Sequence, residues 1–265
     1  MIVSVIIPYV QTRGSGFEEL RYALRSIERN LKLNAELDVV IIGDCPSWVR
    51  NVRHIEIDRD AKAEFTNCFD INRKMSRIIN DQNISDQFIY TYDDIYFLKP
   101  VGPQFFDRRI CVRELDERRR TESLASGKFT TFRKLIWKTF DALRAQGCRQ
   151  IYNYETHLPR AFDKFRMQEV FNTYAPTFNR LLFSSLYFNH FYRAENPKML
   201  VADETKIKAG FYGDPDPLSF PSENEEGVKQ LFSEYVIANH NDEGLSPALA
   251  KTIMERFPDK SKYEE

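Results

Sequence analysis

Two adjacent carboxylates, Asp93 and Asp94, interrupt the otherwise apolar stretch Gln87–Pro100, which reads QFIYTYDDIYFLKP. The run Phe88–Tyr92 reads as a buried strand, and Ile95-Tyr96-Phe97 resumes the apolar character at once. Ionised acids at the end of a buried strand are costly to desolvate unless a cation meets them. Mg²⁺ or Mn²⁺ does so with one or two carboxylates plus substrate phosphate oxygens. Strand ends of α/β sheets are also where ligands collect. Asp94 is therefore the first expected metal ligand, with Asp93 beside it. Successive strand residues face opposite ways, so one of the two is expected to bind the ion while the other orients backbone or substrate. The chemistry this pattern implies is metal-dependent work on a nucleotide-diphosphate substrate.

Other polar groups carry weaker signals. Arg160 and Arg166 present guanidinium groups suited to diphosphate charge, with plain surface exposure as the alternative. Asp44 follows Gly43 at the end of a predicted strand, so it reads either as a hydrogen-bond acceptor for a nucleotide base or ribose, or as a turn former. Two further Asp-x-Asp spacings, Asp58-Arg59-Asp60 and Asp214-Pro215-Asp216, are expected to be structural. The first carries its own arginine, and the second lies among turn-forming prolines and glycines. His157 precedes Pro159 in a polar run, whereas His190 is expected in an aromatic core and His240 near the site.

The elements that must hold these groups alternate in the N-terminal half. Ile2–Ile7 and Leu37–Ile42 read as central strands, His54–Ile57 as a short third, and Phe17–Asn30 and Phe69–Asn80 as helices. Such alternation predicts an α/β fold with a mostly parallel sheet flanked by helices. The C-terminal half is more helical, with helices over Phe129–Ala145, ending at Gly147, Phe162–Thr173 and Pro247–Phe257, the last with Ser246 as N-cap. Gly210–Glu226 reads as a long loop near the site. No linker divides the 265 residues, so a single domain is expected, with residues 104–150 as a helical, basic insert within it.

Composition narrows the class. At 42% hydrophobic residues the chain can bury a large core, and its net charge of −1 gives no global drive toward nucleic acid or anionic membranes. Charge is nevertheless uneven: bases gather between Arg108 and Arg149, notably Arg118, Arg119 and Arg120. These form either an acceptor-binding surface or a solvated face neutralised by Glu114, Asp116, Glu117 and Glu122. Cys45, Cys68, Cys111 and Cys148 form no paired motif and read as free thiols. No segment is long and apolar enough to span a bilayer, and Met1 leads straight into a strand, so a cytoplasmic protein is expected. The aromatic segment Leu181–Tyr192 is expected in the core.

Several patches in one order resemble the Stealth proteins, a family of sugar-phosphate transferases of capsule synthesis. They are Glu19–Val49, the acid pair in FIYTYDDIYFLKPV, Thr156–Phe171 (THLPRAFDKFRMQEVF), Asn241-Asp242, and the closing FPDKSKYE run from Phe257 to Glu264. Tyr92 stands where the family usually has asparagine, and the opening VSVIIPY looks more like a general GT-A glycosyltransferase start. The resemblance implies a GT-A-like fold, a nucleotide-sugar donor, a divalent metal, and a glycan or other hydroxyl acceptor. It also implies His157 as general base, Asn241 and Asp242 as further members of the metal or diphosphate shell, and Pro8–Arg13 as the place of base and ribose. Either the sugar or the sugar-1-phosphate is transferred. Two alternatives stay open: transfer to hydroxylated bases in DNA, with the steep salt dependence of phosphate contacts, and a non-catalytic binding protein, hinted at by Tyr92.

Overall fold

The computed structural model describes residues 1–11, 17–59, 66–125, 130–193, 197–199, 206–212 and 219–265. Its centre is a five-stranded sheet in the order β3-β2-β1-β4-β9. The strands are β1 (Ile2–Tyr9), β2 (Glu36–Gly43), β3 (Arg53–Ile55), β4 (Gln87–Tyr90) and β9 (Arg160–Asp163). β1, β2, β3 and β4 pair in parallel and β9 runs antiparallel to β4. The parallel crossovers carry α1 (Glu19–Asn30) and α2 (Thr66–Ile79). α1 buries Leu20, Ala23, Leu24 and Ile27, spaced to form one apolar stripe.

Alternation along the strands builds a core on each face of the sheet. Ile6, Val40, Ile42, Phe88 and Tyr90 join one cluster; Val5, Ile7, Val39, Ile41 and Ile89 join the other. The first cluster also takes Trp137, Phe140 and Leu143 from α5 (Thr131–Ala145), so part of the basic stretch 104–150 packs on the central sheet. α5 closes at Gln146, and Gly147 follows with φ +79, a left-handed position suited to glycine. α8 (Phe183–Phe191) buries Phe183, Leu186, Tyr187 and Phe188 in the same cluster, so the aromatic segment is core, as its composition implies.

A smaller sheet begins directly after the acid pair. β5 (Ile95–Phe97) pairs antiparallel with β12 (Ile237–His240), which lies parallel to β11 (Lys208–Phe211). α9 (Glu225–Glu234) and α10 (Pro247–Arg256) pack beside it. Ser246 caps α10 by accepting from the Leu249 amide, the role read from the Ser-Pro pair. Residues 213–218 of the predicted loop Gly210–Glu226 lie outside the described residues, as do Asp60, Asp214 and Asp216.

Several boundaries shift by one to three residues from prediction, and one shift reveals a strand. The helix expected from Phe162 begins at Lys164 as α6 (Lys164–Tyr174), because Asp163 caps it by accepting from the Arg166 amide. The residues before that cap extend as β9 instead, pairing Tyr90 with Arg160 and Gln87 with Asp163.

Candidate active site

β4 ends at Tyr90, and the two acids sit in the turn between β4 and β5, where the Ile95 amide lies 3.4 Å from the Tyr92 carbonyl. They therefore lie past the strand, and the expectation of strand-like alternation does not apply. The turn still separates them. Asp94 hydrogen-bonds His157, while Asp93 is within range of the Glu19 and Lys74 charges. Two other elements converge here. The antiparallel register pairs Asn239 with Ile95, and the next residue, His240, lies close enough to Asp94 for their charges to interact. The first turn of α1 supplies Glu19, an acid that sequence reasoning did not place in the site.

These carboxylates perturb one another. Burial, then repulsion from Asp94 and Asp242, pushes Glu19 up to about 7. Burial, then Asp94 and Glu19, holds Asp93 well above the usual carboxylate range. Burial also opposes ionisation of Asp94, but the charge and hydrogen bond of His157 outweigh it and keep Asp94 below its ordinary value. Tyr9 is raised to about 12 by burial and by Asp93. The site thus crowds carboxyl groups whose full ionisation is opposed by burial and by one another.

His157 Nε2 lies 2.9 Å from Asp94 Oδ1. The carboxylate is an acceptor, so Nε2 carries the proton and Nδ1 is the basic nitrogen of the neutral ring. Tyr92 stacks on the imidazole, with centroids 4.3 Å apart and planes 20° from parallel. The side chain that departs from the family pattern thus fixes the ring plane. His157 takes φ +50, an unusual backbone conformation that its loop must impose. Two buried cations do so. Arg160 Nη2 lies 2.6 Å from the Ile110 carbonyl, 3.0 Å from that of Tyr154 and 2.7 Å from Thr156 Oγ1. Lys208 Nζ donates to the Thr156 carbonyl at 2.8 Å.

The remaining predicted site residues fall into distinct places. Arg160 is buried and lies over the Phe188 ring, so its guanidinium braces the histidine loop rather than facing a diphosphate. Arg166 follows Asp163, which pairs with Gln87, so it sits beyond the opposite end of β4 from the acid pair. Its guanidinium donates to the Tyr192 hydroxyl at 3.1 Å. Neither arginine is in the position expected for diphosphate. Asn241 caps a short turn, with Oδ1 accepting from the Gly244 amide at 2.8 Å. Asp44 Oδ2 accepts from the Gln11 amide at 2.7 Å, the turn-forming option, while remaining at the exposed carboxyl edge. Pro8 lies on β1 opposite Ile42, and Arg13 is outside the described residues. Behind this edge, Lys74 pairs with Asp70 at 2.8 Å and reaches the Tyr9 carbonyl at 3.2 Å. Gly43, at φ +115, permits that packing, since a Cβ there would lie 2.2 Å from the Tyr9 oxygen.

Among the described residues, no three His, Cys, Asp or Glu side chains form a ready metal cage. The donor chemistry nevertheless fits a hard divalent ion. Burial, then repulsion from neighbouring acids, keeps Asp93 and Glu19 from ionising fully, and a cation would relieve the repulsion. Mg²⁺ uses one or two carboxylates plus phosphate and water, without a closed protein cage.

The fold is that of a GT-A-like glycosyltransferase. The WbbM bifunctional glycosyltransferase, in its apo structure, superposes at a TM-score of 0.50 over 97% of this chain and 50% of its own, at 12% identity. In sequence, about a third of the chain is similar to sugar-phosphate transferases. An exopolysaccharide phosphotransferase of Streptomyces coelicolor is 33% identical over 96 residues, which is 34% of this chain and 16% of that protein. A second, from Nocardia farcinica, is 26% identical over 93 residues, covering 34% of this chain and 18% of that protein. The human N-acetylglucosamine-1-phosphotransferase subunits alpha/beta are 36% identical over 96 residues, covering 34% of this chain and 8% of that protein. The similarity thus spans a small part of these longer relatives. No family model matches the chain. Among the described residues, no helix is long and apolar enough to cross a membrane.

Proposed function

We propose that this protein transfers a sugar-1-phosphate from a nucleotide-sugar donor to a hydroxyl acceptor, on the model of its phosphotransferase relatives. The observation that carries this reading is the Asp94–His157 pair at the carboxyl edge of a GT-A-like sheet. Asp94 fixes the imidazole tautomer, and Nδ1 takes the proton of the acceptor hydroxyl. The hydroxyl oxygen then forms a bond to the β-phosphorus of the donor, the bond from that phosphorus to the bridging oxygen breaks, and nucleoside monophosphate leaves. Asp93 and Asp94, with Asn241 nearby, would hold Mg²⁺ or Mn²⁺; when bound, such an ion neutralises diphosphate charge. Pro8 and Asp44 lie where the base and ribose of the donor would rest. The acceptor in this reading is a hydroxyl of a surface or capsular glycan, as the names of the bacterial relatives suggest.

The paired state of Arg118, Arg119 and Arg120 gives a DNA acceptor no support: Glu122, Asp116 and Asp141 respectively lie within ion-pair distance. The test is to incubate the protein with a panel of nucleotide sugars and Mg²⁺ or Mn²⁺, then identify the nucleotide released. Nucleoside monophosphate is expected. Nucleoside diphosphate would reassign the reaction to sugar transfer, and no acceptor-dependent release from any donor would overturn the transferase reading.

A further inference from the structure

His157 belongs to two environments. One side meets Asp94; the other lines a cavity of about 500 Å³, within the ~300–1,000 Å³ range of small-molecule sites. Ile71 of α2, Phe132 and Leu135 of α5, and Leu182 and Phe183 at the start of α8 form an apolar side of its wall. Tyr92 forms the partition, stacked on His157 and exposed to the cavity.

The lining excludes the donor's diphosphate. Among the described residues it contains no lysine or arginine, and its one acid is Glu155, whose Oε1 accepts from the Ser185 amide at 3.0 Å and hydroxyl at 2.8 Å. An anionic group placed here would meet a carboxylate and apolar walls, both unfavourable. Cys68, also on the wall, offers no nucleophile, because burial pushes its thiol up to about 12. What the cavity offers is apolar area beside a basic nitrogen.

We propose that this cavity binds the acceptor, and that the acceptor carries its reacting hydroxyl next to an apolar body, an aryl group or a short alkyl chain. The apolar body fills the space between α2, α5 and α8, and its hydroxyl projects past Tyr92 to His157. This inference rests on the reading of His157 as the acceptor-side base. It goes beyond that reading by naming the acceptor's chemistry, which a glycan without an aglycone does not satisfy.

Binding is measured first, without turnover, by ligand-observed NMR titration of octyl β-glucoside below its micelle concentration against methyl β-glucoside. Octyl β-glucoside is expected to bind at least about tenfold more tightly, since burying even part of an apolar chain is worth over 1 kcal/mol. Phe132 lies on the cavity wall and is 49% exposed, so Phe132→Ser should leave the fold intact and weaken octyl binding about fivefold. Thr131→Glu, which sets a charge at the same mouth, should do so more strongly. Equal binding of the two glucosides, or octyl binding untouched by both substitutions, overturns the proposal. In the nucleotide-release assay the octyl and 4-nitrophenyl glycosides should then show lower acceptor KM than the methyl glycoside. Turnover with no such preference overturns the proposal and leaves the transferase reading standing. Absence of all turnover overturns the transferase reading, while the binding preference still decides what the cavity takes.

Discussion

His157 is placed by contacts that also set its chemistry. The Asp94 bond assigns the proton to Nε2, and the Tyr92 ring fixes the plane in which Nδ1 points. His157→Ala should therefore lower acceptor-dependent turnover by about two to four decades, the range of a lost general base. Donor KM should change little; a large rise in donor KM would move His157 to the nucleotide side. Asp94→Asn should lose turnover comparably while the thermal midpoint holds, read by circular dichroism. Glu19 allows a test of the charge crowding that does not depend on turnover. Its carboxyl is near 4.5 unfolded and about 7 folded, so the native state holds more protons between those values. Stability contributed by the protonated form is present below pH 4.5 and is lost as pH rises through 7. Glu19→Gln should then raise stability by about 1–3 kcal/mol at pH 8. The gain should shrink when millimolar Mg²⁺ is added, as a cation relieves the same repulsion. An unchanged melting curve across pH 5–8 for both proteins would falsify the crowding.

At the scale of elements, the last residues of the chain decide where α1 lies. Glu264, whose side chain is fully buried, accepts from Arg25 through both oxygens at 2.8 Å and from Arg21 at 2.7 Å. Ser261 adds its amide at 2.9 Å. Burial opposes ionisation, but these donors outweigh it and hold the carboxyl at about 2. The closing Ser-x-x-Glu run is thus a clamp on the helix that carries Glu19, and not a ligand site. Because the folded value lies below the unfolded 4.5, the clamp's stabilisation is present above pH 4.5 and lost as pH falls toward 2. Glu264→Gln should cost about 2–4 kcal/mol at pH 7, since it removes the buried countercharge of Arg21 and Arg25. Urea unfolding at pH 7 and pH 3 checks both statements: the wild type should weaken sharply at the lower pH and the variant much less.

Over the whole molecule, charge and apolar area are distributed for different tasks. The two faces of the sheet each carry a core, which leaves its carboxyl edge as the place where polar groups gather. The arginine run Arg118–Arg120 lies on α4 (Glu117–Ala125), where Arg120 meets Asp141 at 2.6 Å and Arg118 meets Glu122 at 3.8 Å. α4 buries none of its side chains. Replacing Arg118, Arg119 and Arg120 together with serine should therefore change stability by less than about 1 kcal/mol, as exposed pairs do. Turnover should remain insensitive to ionic strength, and a steep salt dependence in the wild type that the triple variant loses would instead mark this face as an anion site.

The local sequence determined what depends on neighbours along the chain. The apolar runs of β1 and β2, the stripe on α1, the Ser246 cap and the apolar flanks of the acid pair are all set within a few residues, so their periodicity and chemistry were readable. Asp94 and His157 were singled out by type and setting, but their 2.9 Å contact joins positions 63 residues apart. By sequence Glu19 is a first-turn acid suited to the helix dipole, and only the packing of α1 against β5 brings it within range of the Asp94 and Asp242 charges. Arg160 looked like a phosphate ligand because guanidinium chemistry is the same in a core as in a cleft; the antiparallel pairing of β9 with β4 put it among carbonyls. Side-chain type fixes what a group can do. Its burial and its partners, set by long-range packing, decide which of those things it does.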